Sequence, residues 1–189
     1  MEEIADTDHE RLPIYYSTRG RGFNEAHREA IGAMTADRGW IVNAFAQVEY
    51  LLADTVVRCG SLPEYAEANT TLPYRLDQRV TRFADLIALD GPLADQRGAF
   101  EQVVVNFRAA EERRQFLVHG FASFHFTQAG DMAMRFDRFM PARDDPGRRR
   151  SMWFRPATLA AIRAEASSQT ENAIREFIAL HERFGWVGD

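Results

Sequence analysis

The sequence predicts an all-α fold, an antiparallel helical bundle of four to five helices with a small β-hairpin before the last helix. Three observations predict this class. Apolar residues recur every three or four positions in several long segments, which is the period of an amphipathic helix. Glycine and proline separate these segments. Apolar and polar residues alternate in a stretch shortly before the last helical segment.

Two helices are predicted in the first third of the chain. A short helix at about residues 24–34 is followed by an amphipathic helix of about five turns at residues 40–59. The apolar positions of the longer helix are Ile41, Ala44, Phe45, Val48, Leu52, Val56 and Cys59. Residues 1–22 are polar and predict an N-terminal arm, so the helical domain is expected to occupy residues 23–189.

Two more helices are predicted in the middle of the chain. A connector with glycine and proline is expected at residues 60–73. The apolar positions of the helix after it are Leu76, Val80, Phe83 and Ile87. Gly91-Pro92 ends that helix. The longest helix is expected at about residues 93–119, with Gly120 as a left-handed C-terminal cap.

A β-hairpin and a final helix are predicted in the last third. Apolar residues that alternate with other residues on both sides of a turn at residues 128–131 predict the hairpin. They are Phe124 and Phe126 before the turn and Met132, Met134 and Phe136 after it. A short strand is expected at residues 152–154, and Pro156 is suited to the first turn of the last helix.

The composition favours a cytoplasmic protein without a membrane-spanning segment. The single Cys59 cannot form an internal disulfide and has no cysteine or histidine cluster around it, which suits a reducing compartment and argues against a zinc site. The acidic N-terminus does not resemble a signal peptide, and no apolar stretch approaches the ~20 residues that cross a bilayer. The formal net charge of -5 disfavours a broad nucleic-acid-binding surface, so any contact with RNA is expected to be local.

An arginine at an inward position is the main functional signal. Continuing the apolar stripe of Val103, Phe107 and Ala110 leads to Arg114, so a guanidinium is expected to face the bundle. This charge needs a carboxylate or a bound anion beside it, since an unpaired buried ion is strongly destabilising. Glu49 could provide the carboxylate, which would make the arginine structural. A phosphate, which matches the planar fork of arginine, is the other candidate, and the two are not exclusive.

His119 lies at the predicted end of the same helix, where an imidazole can bond free carbonyl groups. Five positions around a helix correspond to about 140°, so Arg114 and His119 do not share one face. Two copies of the motif that meet across a symmetric dimer could complete one groove. Arg113 is a second arginine with a fitting spacing; the sequence alone does not decide between the two, although the stripe favours Arg114.

The segment Arg114-Gln115-Phe116-Leu117-Val118-His119 resembles the signature of the HEPN superfamily of helical domains, in which an arginine and a polar residue precede a histidine by a few positions. The order of helices from about residue 40 to residue 184 resembles the same family. Gln115 stands where the family commonly has Asn, Asp or His. Phe121 stands where some toxin members carry a tyrosine.

This resemblance implies a metal-independent endoribonuclease that needs no cofactor. His119 would exchange protons with the ribose 2′-hydroxyl or the leaving 5′-oxygen, and Arg114 would hold the scissile phosphate. Arg113, Gln115 and Glu49 are the candidates for further binding contacts. The expected partners are a second copy of the chain, RNA, and a cognate antitoxin or regulatory protein in a toxin–antitoxin or phage-defence setting.

Other function classes remain open. The sequence has no glycine-rich phosphate loop, no paired metal-binding histidines and no nucleophile elbow. A non-catalytic HEPN-like module that binds a partner protein or a nucleotide would use Arg114 and His119 only structurally. An oligomerisation scaffold is a third interpretation. The basic run at residues 148–150 could contact RNA phosphates, although a solvated loop balanced by Asp144 and Asp145 is the favoured interpretation.

Overall fold

The computed structural model describes residues 25–126 and 131–186, and the predicted arm at residues 1–22 lies outside these ranges. The helices are α1 (Glu25–Cys59), α2 (Leu76–Ala88), α3 (Arg97–Ala109), α4 (Glu111–His119) and α5 (Pro156–Phe184). The strands are β1 (Phe121–Phe126), β2 (Met132–Phe139) and β3 (Arg149–Phe154), and short 3-10 turns occupy Pro63–Tyr65 and Ala94–Gln96.

The sheet shows that the predicted all-α class is too narrow. Within the described residues the fold is mainly helical, but the three strands form an antiparallel sheet in the order β1-β2-β3. The predicted hairpin corresponds to β1 and β2, and most of its turn falls outside the described residues. Strand β3 is longer than the predicted strand at residues 152–154, because arginines at its start interrupt the apolar pattern.

Helix α1 is continuous where the sequence predicts two helices. Asp37 is buried, with its Oδ1 3.0 Å from Nη1 of Arg163. It occupies the inward position between Met34 and Ile41, which are both buried. A paired carboxylate at an inward position interrupts the apolar period without interrupting the helix, which explains the wrongly predicted break.

The predicted helix at residues 93–119 is divided into three parts. The 3-10 turn Ala94–Gln96 precedes α3, and α4 begins after Ala110. Ala110 has φ -89° and ψ -5°, and its N–H donates to the carbonyl of Asn106 at 3.1 Å. Because Ala110 stays close to helical geometry, the apolar period continues across the boundary and does not reveal it.

The chain divides into two compact units, each built from segments that are distant in sequence. The helical unit comprises Asn43–Glu111 and Ala166–Asp189, described as far as residue 186. The sheet unit comprises the chain up to Val42, described from residue 25, and Glu112–Glu165. Each unit has its own set of buried apolar residues.

The two longest helices are not membrane spans. Helix α1 has 35 residues and α5 has 29, so both have the length to cross a bilayer. No helix in the described residues is also apolar enough to do so.

The core of the helical unit contains packed aromatic rings from α2, α3 and α5. The ring centroids of Phe83 and Phe100 are 5.4 Å apart, and that of Phe177 lies 5.7 Å and 5.1 Å from them. Cys59 is fully buried in the same cluster, and burial raises the pKa of its thiol to about 12. This thiol is therefore a core side chain and not a reactive group.

His181 on α5 is a largely buried titratable group of the helical unit. Its Nε2 lies 3.7 Å from Oδ2 of Asp54, and its ring centroid lies 5.5 Å from that of Trp186. Burial is the largest effect on the pKa of His181 and lowers it from the ordinary value of 6.5. Asp54 raises this pKa and Arg58 lowers it, without reversing the effect of burial.

We expect the stability of the protein to fall as the pH is lowered through 6.5. Folded His181 stays neutral where unfolded His181 takes up a proton, so the unfolded state binds more protons and is favoured by acid. Thermal unfolding midpoints measured from about pH 5 to about pH 8 should rise with pH in the wild type and less steeply in His181→Gln. Equal slopes in the two proteins would contradict this assignment.

Four apolar side chains are buried together on one face of the sheet. Strands β2 and β3 place Phe136 opposite Met152 and Met134 opposite Phe154, and all four side chains are buried. The rings of Phe136 and Phe154 pack edge to face, with centroids 5.7 Å apart.

Arg38 connects α1 to both α4 and the sheet. Its guanidinium carbon lies 5.2 Å from the ring centroid of Phe136, and its Nε donates to the carbonyl of Leu117 at 2.8 Å. Leu117 belongs to the last turn of α4, where carbonyl groups have no partner within the helix. Arg38 therefore caps the helix that ends at His119.

Candidate functional site

Helix α4 carries both predicted catalytic residues and is fixed by ion pairs within the sheet unit. Nη1 of Arg150, on β3, lies 2.7 Å from Oε1 of Glu112. Nη1 of Arg113 lies 3.6 Å from Oε2 of Glu165, on α5. A helix of nine residues is marginal by itself, so the position of α4 depends on its tertiary contacts, which also include the burial of Phe116 and Leu117.

Arg114 is the inward arginine of α4. It is buried (5% exposed), whereas Arg113 is only partly buried and pairs with Glu165. The inward position that the apolar stripe predicts for Arg114 is therefore confirmed. Gln115, between Arg114 and the rest of the motif, is partly buried. Arg114 therefore belongs to the interior of the sheet unit. A buried guanidinium requires polar contacts around it.

Glu49 lies in the helical unit, where its carboxylate has a partner. Its Oε1 is 3.1 Å from Nη1 of Arg79 on α2. Arg79 also donates to the carbonyl groups of Pro73 and Tyr74, at 2.8 Å and 3.0 Å. Glu49 thus helps to join α1, α2 and the connector between them. Its pairing with Arg114 stays a prediction.

His119 is exposed at the C-terminal end of α4, and the glycine after it allows a close approach. The predicted left-handed cap at Gly120 is wrong, because Gly185 alone has a positive φ among the described residues. A Cβ at Gly120 would lie 2.5 Å from the carbonyl oxygen of Phe116 and 3.0 Å from Cβ of Phe136. The N–H of Gly120 donates to that carbonyl at 2.8 Å, so only glycine fits between helix and sheet.

His119 lines an open depression of about 550 Å³. The other lining residues are Phe121 of β1, Asp137, Arg138 and Phe139 of β2, and Arg149 of β3. Of the β2 and β3 residues, the sequence singles out only Arg149, as part of the basic run at residues 148–150, and the predicted second strand stops at Phe136. The interpretation of residues 148–150 as a solvated loop is wrong for Arg149 and Arg150, which belong to β3.

The depression contains positive charge that has no carboxylate partner in the part of the chain that the structure describes. Asp137 is already bonded, since its Oδ1 accepts from Nε of Arg135 at 2.8 Å and from Oγ of Ser151 at 2.5 Å. Among the described residues, neither Arg138 nor Arg149 forms an ion pair. An anion in the depression can therefore approach either guanidinium group without displacing a carboxylate of the described residues.

Arg114 and His119 do not share one open surface within a single chain. The helix separates them by about 140°, and the structure buries the first and exposes the second. Only His119 of the two lines the depression. The arginines that line the depression together with His119 are Arg138 and Arg149. They come from β2 and β3, which pair in the sheet.

Comparison of the chain with protein-family models, curated proteins and solved structures gave no match. Within residues 25–126 and 131–186 there is no group of three or more histidine, cysteine, aspartate or glutamate side chains placed to hold a metal ion. The case for a function therefore depends on the chemistry of the residues around His119.

Gly120→Ala should destabilise the protein by about 1–3 kcal/mol, because the added methyl group meets a backbone oxygen. Urea denaturation followed by circular dichroism measures this change. Gly98→Ala is the control, since a Cβ at that exposed helical position has nothing within 4 Å and should leave stability equal or slightly higher. Wild-type stability of Gly120→Ala would refute the close approach.

Proposed function

We propose that this chain is a metal-independent endoribonuclease of the HEPN type that acts as a homodimer in the cytoplasm. The observation that carries the proposal is the exposed His119 in a depression lined by Arg138 and Arg149. An imidazole, which can accept or donate a proton, accompanies two guanidinium groups that can attract an anion. The antiparallel helical bundle expected of such a domain is part of the proposal.

In the proposed reaction His119 takes the proton of a ribose 2′-hydroxyl. The 2′-oxygen attacks the adjacent phosphorus, the bond to the 5′-oxygen breaks, and the 5′-oxygen receives a proton. The products are a 2′,3′-cyclic phosphate and a 5′-hydroxyl. Arg138 and Arg149 bind the phosphate and stabilise the negative charge that develops on its oxygens.

Arg114 has a positioning role in this proposal. Its 5% exposure leaves little surface for contact with a phosphate in a single chain. The buried guanidinium of Arg114 can instead fix the orientation of α4, whose last residue is His119. The family resemblance implies a phosphate contact for Arg114. In this proposal Arg138 and Arg149 make that contact instead.

A homodimer would supply a second proton-transfer group. Cleavage needs a base for the 2′-hydroxyl and an acid for the 5′-oxygen, and each chain has one His119. In a symmetric dimer the two imidazoles can act on one RNA strand. The setting that the resemblance implies is a toxin–antitoxin or phage-defence system, with an antitoxin or regulatory protein as a further partner.

A nucleotide-binding module without catalysis is the second candidate function. The observation that favours it is the presence of two exposed rings, Phe121 and Phe139, in the same depression as Arg138 and Arg149. Rings and guanidinium groups can hold a base and a phosphate without cleaving the strand. His119 would then have only a structural role at the C-terminal end of α4.

Wild-type protein should cleave single-stranded RNA in the presence of EDTA, because no proposed step uses a metal ion. His119→Ala should lower the cleavage rate by about 100-fold or more, the usual effect of removing a general acid or base. Mass spectrometry of the fragments should show cyclic phosphate and 5′-hydroxyl ends. His119 is exposed, so circular dichroism should show an unchanged fold.

Arg75→Ala is the matched control, since Arg75 is an exposed residue of the helical unit that pairs with Asp77 two positions away. It should cleave at the wild-type rate. Undiminished cleavage by His119→Ala would rule out the proposed site. Wild-type protein that binds RNA without cleaving it would favour the non-catalytic module.

Arg114→Lys should lower the thermal unfolding midpoint and kcat, but leave the salt dependence of RNA binding unchanged. Lysine lacks the planar fork that a buried arginine site requires. An arginine that contacts no phosphate releases no counterion when RNA binds, whereas Arg149→Ala should reduce the salt slope by about one. A reduced slope in Arg114→Lys would show that Arg114 contacts RNA directly.

A further inference from the structure

Two exposed phenylalanine rings border the depression that holds His119. Phe121 is 73% exposed and Phe139 is 70% exposed, and both line the depression. An exposed phenyl ring gives up the free energy that its burial would release. Neighbouring exposed apolar side chains beside a candidate active site indicate a ligand that covers them.

The strand register brings the two rings to one face of the sheet. Phe121 is directly opposite Asp137, and Phe139 is two positions further along the same strand. The Cα atoms of such diagonal neighbours are about 7–8 Å apart. Carbon atoms in contact are about 3.5–4 Å apart. A planar ring can therefore lie against either phenyl ring or between the two.

The surroundings of the rings favour an anionic partner. Arg149 is directly opposite Phe139 on β3, and Arg138 precedes Phe139 on β2. Neither arginine forms an ion pair within the described part of the chain. Single-stranded nucleic acid presents both complementary features, phosphates for the guanidinium groups and base faces for the phenyl rings.

We propose that Phe121 and Phe139 stack the bases of single-stranded RNA and so place one ribose beside His119. The choice of RNA rests on the proposed ribonuclease function. A base in a duplex has both faces covered by its neighbours, so stacking on these rings selects unpaired RNA. Because every base has an aromatic face, the stacking tolerates sequence variation.

A second copy of the chain fits these rings less well than RNA does. A phenylalanine side chain buries about 150–250 Å², whereas a stable protein interface buries about 1,200–2,000 Å² in total. Two rings supply only a part of that area. Burial of Arg149 in such a contact would also withdraw its charge from water, which is costly without a partner.

The test is fluorescence anisotropy with a labelled oligoadenylate that carries 2′-O-methyl groups, which prevent cleavage. Phe121→Ala and Phe139→Ala should each weaken binding about tenfold or more, while Phe139→Trp, which keeps an aromatic face, should bind as the wild type does. Tyr74→Ala is the matched control, since Tyr74 is a 93% exposed aromatic residue of the helical unit. An abasic oligomer of equal length should bind the wild type only weakly.

Wild-type affinity in both alanine variants, or equal binding of the abasic oligomer, would overturn the inference. Sedimentation velocity gives a further check. If the alanine variants lose RNA binding together with a dimer, the rings belong to a contact between copies and the inference fails. If the wild type binds through the rings but cleaves nothing, the ribonuclease proposal fails alone. If it cleaves while the alanine variants bind normally, only the stacking inference fails.

Discussion

The position of His119 depends on the guanidinium of Arg38. This one group packs on Phe136 of the sheet and donates to the carbonyl of Leu117, in the last turn of α4. The end of a short helix frays when its carbonyl groups lack partners. Burial lowers the pKa of Arg38, which shows that its charge is partly withdrawn from water to make these contacts. Without them a carbonyl group in the last turn of α4, two residues before His119, would lose its partner.

Both units combine apolar packing with ion pairs, and α4 is the helix whose ion pairs bear on the candidate site. The helical unit packs aromatic rings such as Phe83, Phe100 and Phe177, which gives stability without fixing a precise side-chain orientation. In the sheet unit α4 is held by directional contacts, including ion pairs to Arg150 and Glu165. Hydrogen bonds and ion pairs have preferred geometry, so they suit a helix whose function depends on where one side chain points.

Much of the fold follows from sequence periodicity, and the differences have local physical causes. Helix α2 and the last helix follow their apolar patterns. The sequence breaks α1 wrongly because Asp37 occupies an inward position as the partner of Arg163. It misses the boundary at Ala110 because that residue remains nearly helical. The third strand is longer than predicted because its first two residues are arginines, which interrupt the apolar pattern. The pairing of Asp37 with Arg163 joins residues that are distant in sequence, and the change at Ala110 is a small one in dihedral angles. Neither can be recognised from the spacing of apolar residues.

The candidate site is predictable only as far as it is local. Arg114 and His119 lie on one short segment, so the apolar stripe identifies the inward arginine and the helix end identifies the exposed histidine. Arg138 and Arg149 reach the same depression through strand pairing, which no local pattern encodes. Arg114 and the two arginines of the sheet therefore have different roles in the proposed site. A buried arginine can position a helix but cannot easily meet a substrate, whereas arginines at the open end of a sheet can bind an anion as it arrives. The chemistry proposed for His119 therefore depends on residues that the motif itself does not contain.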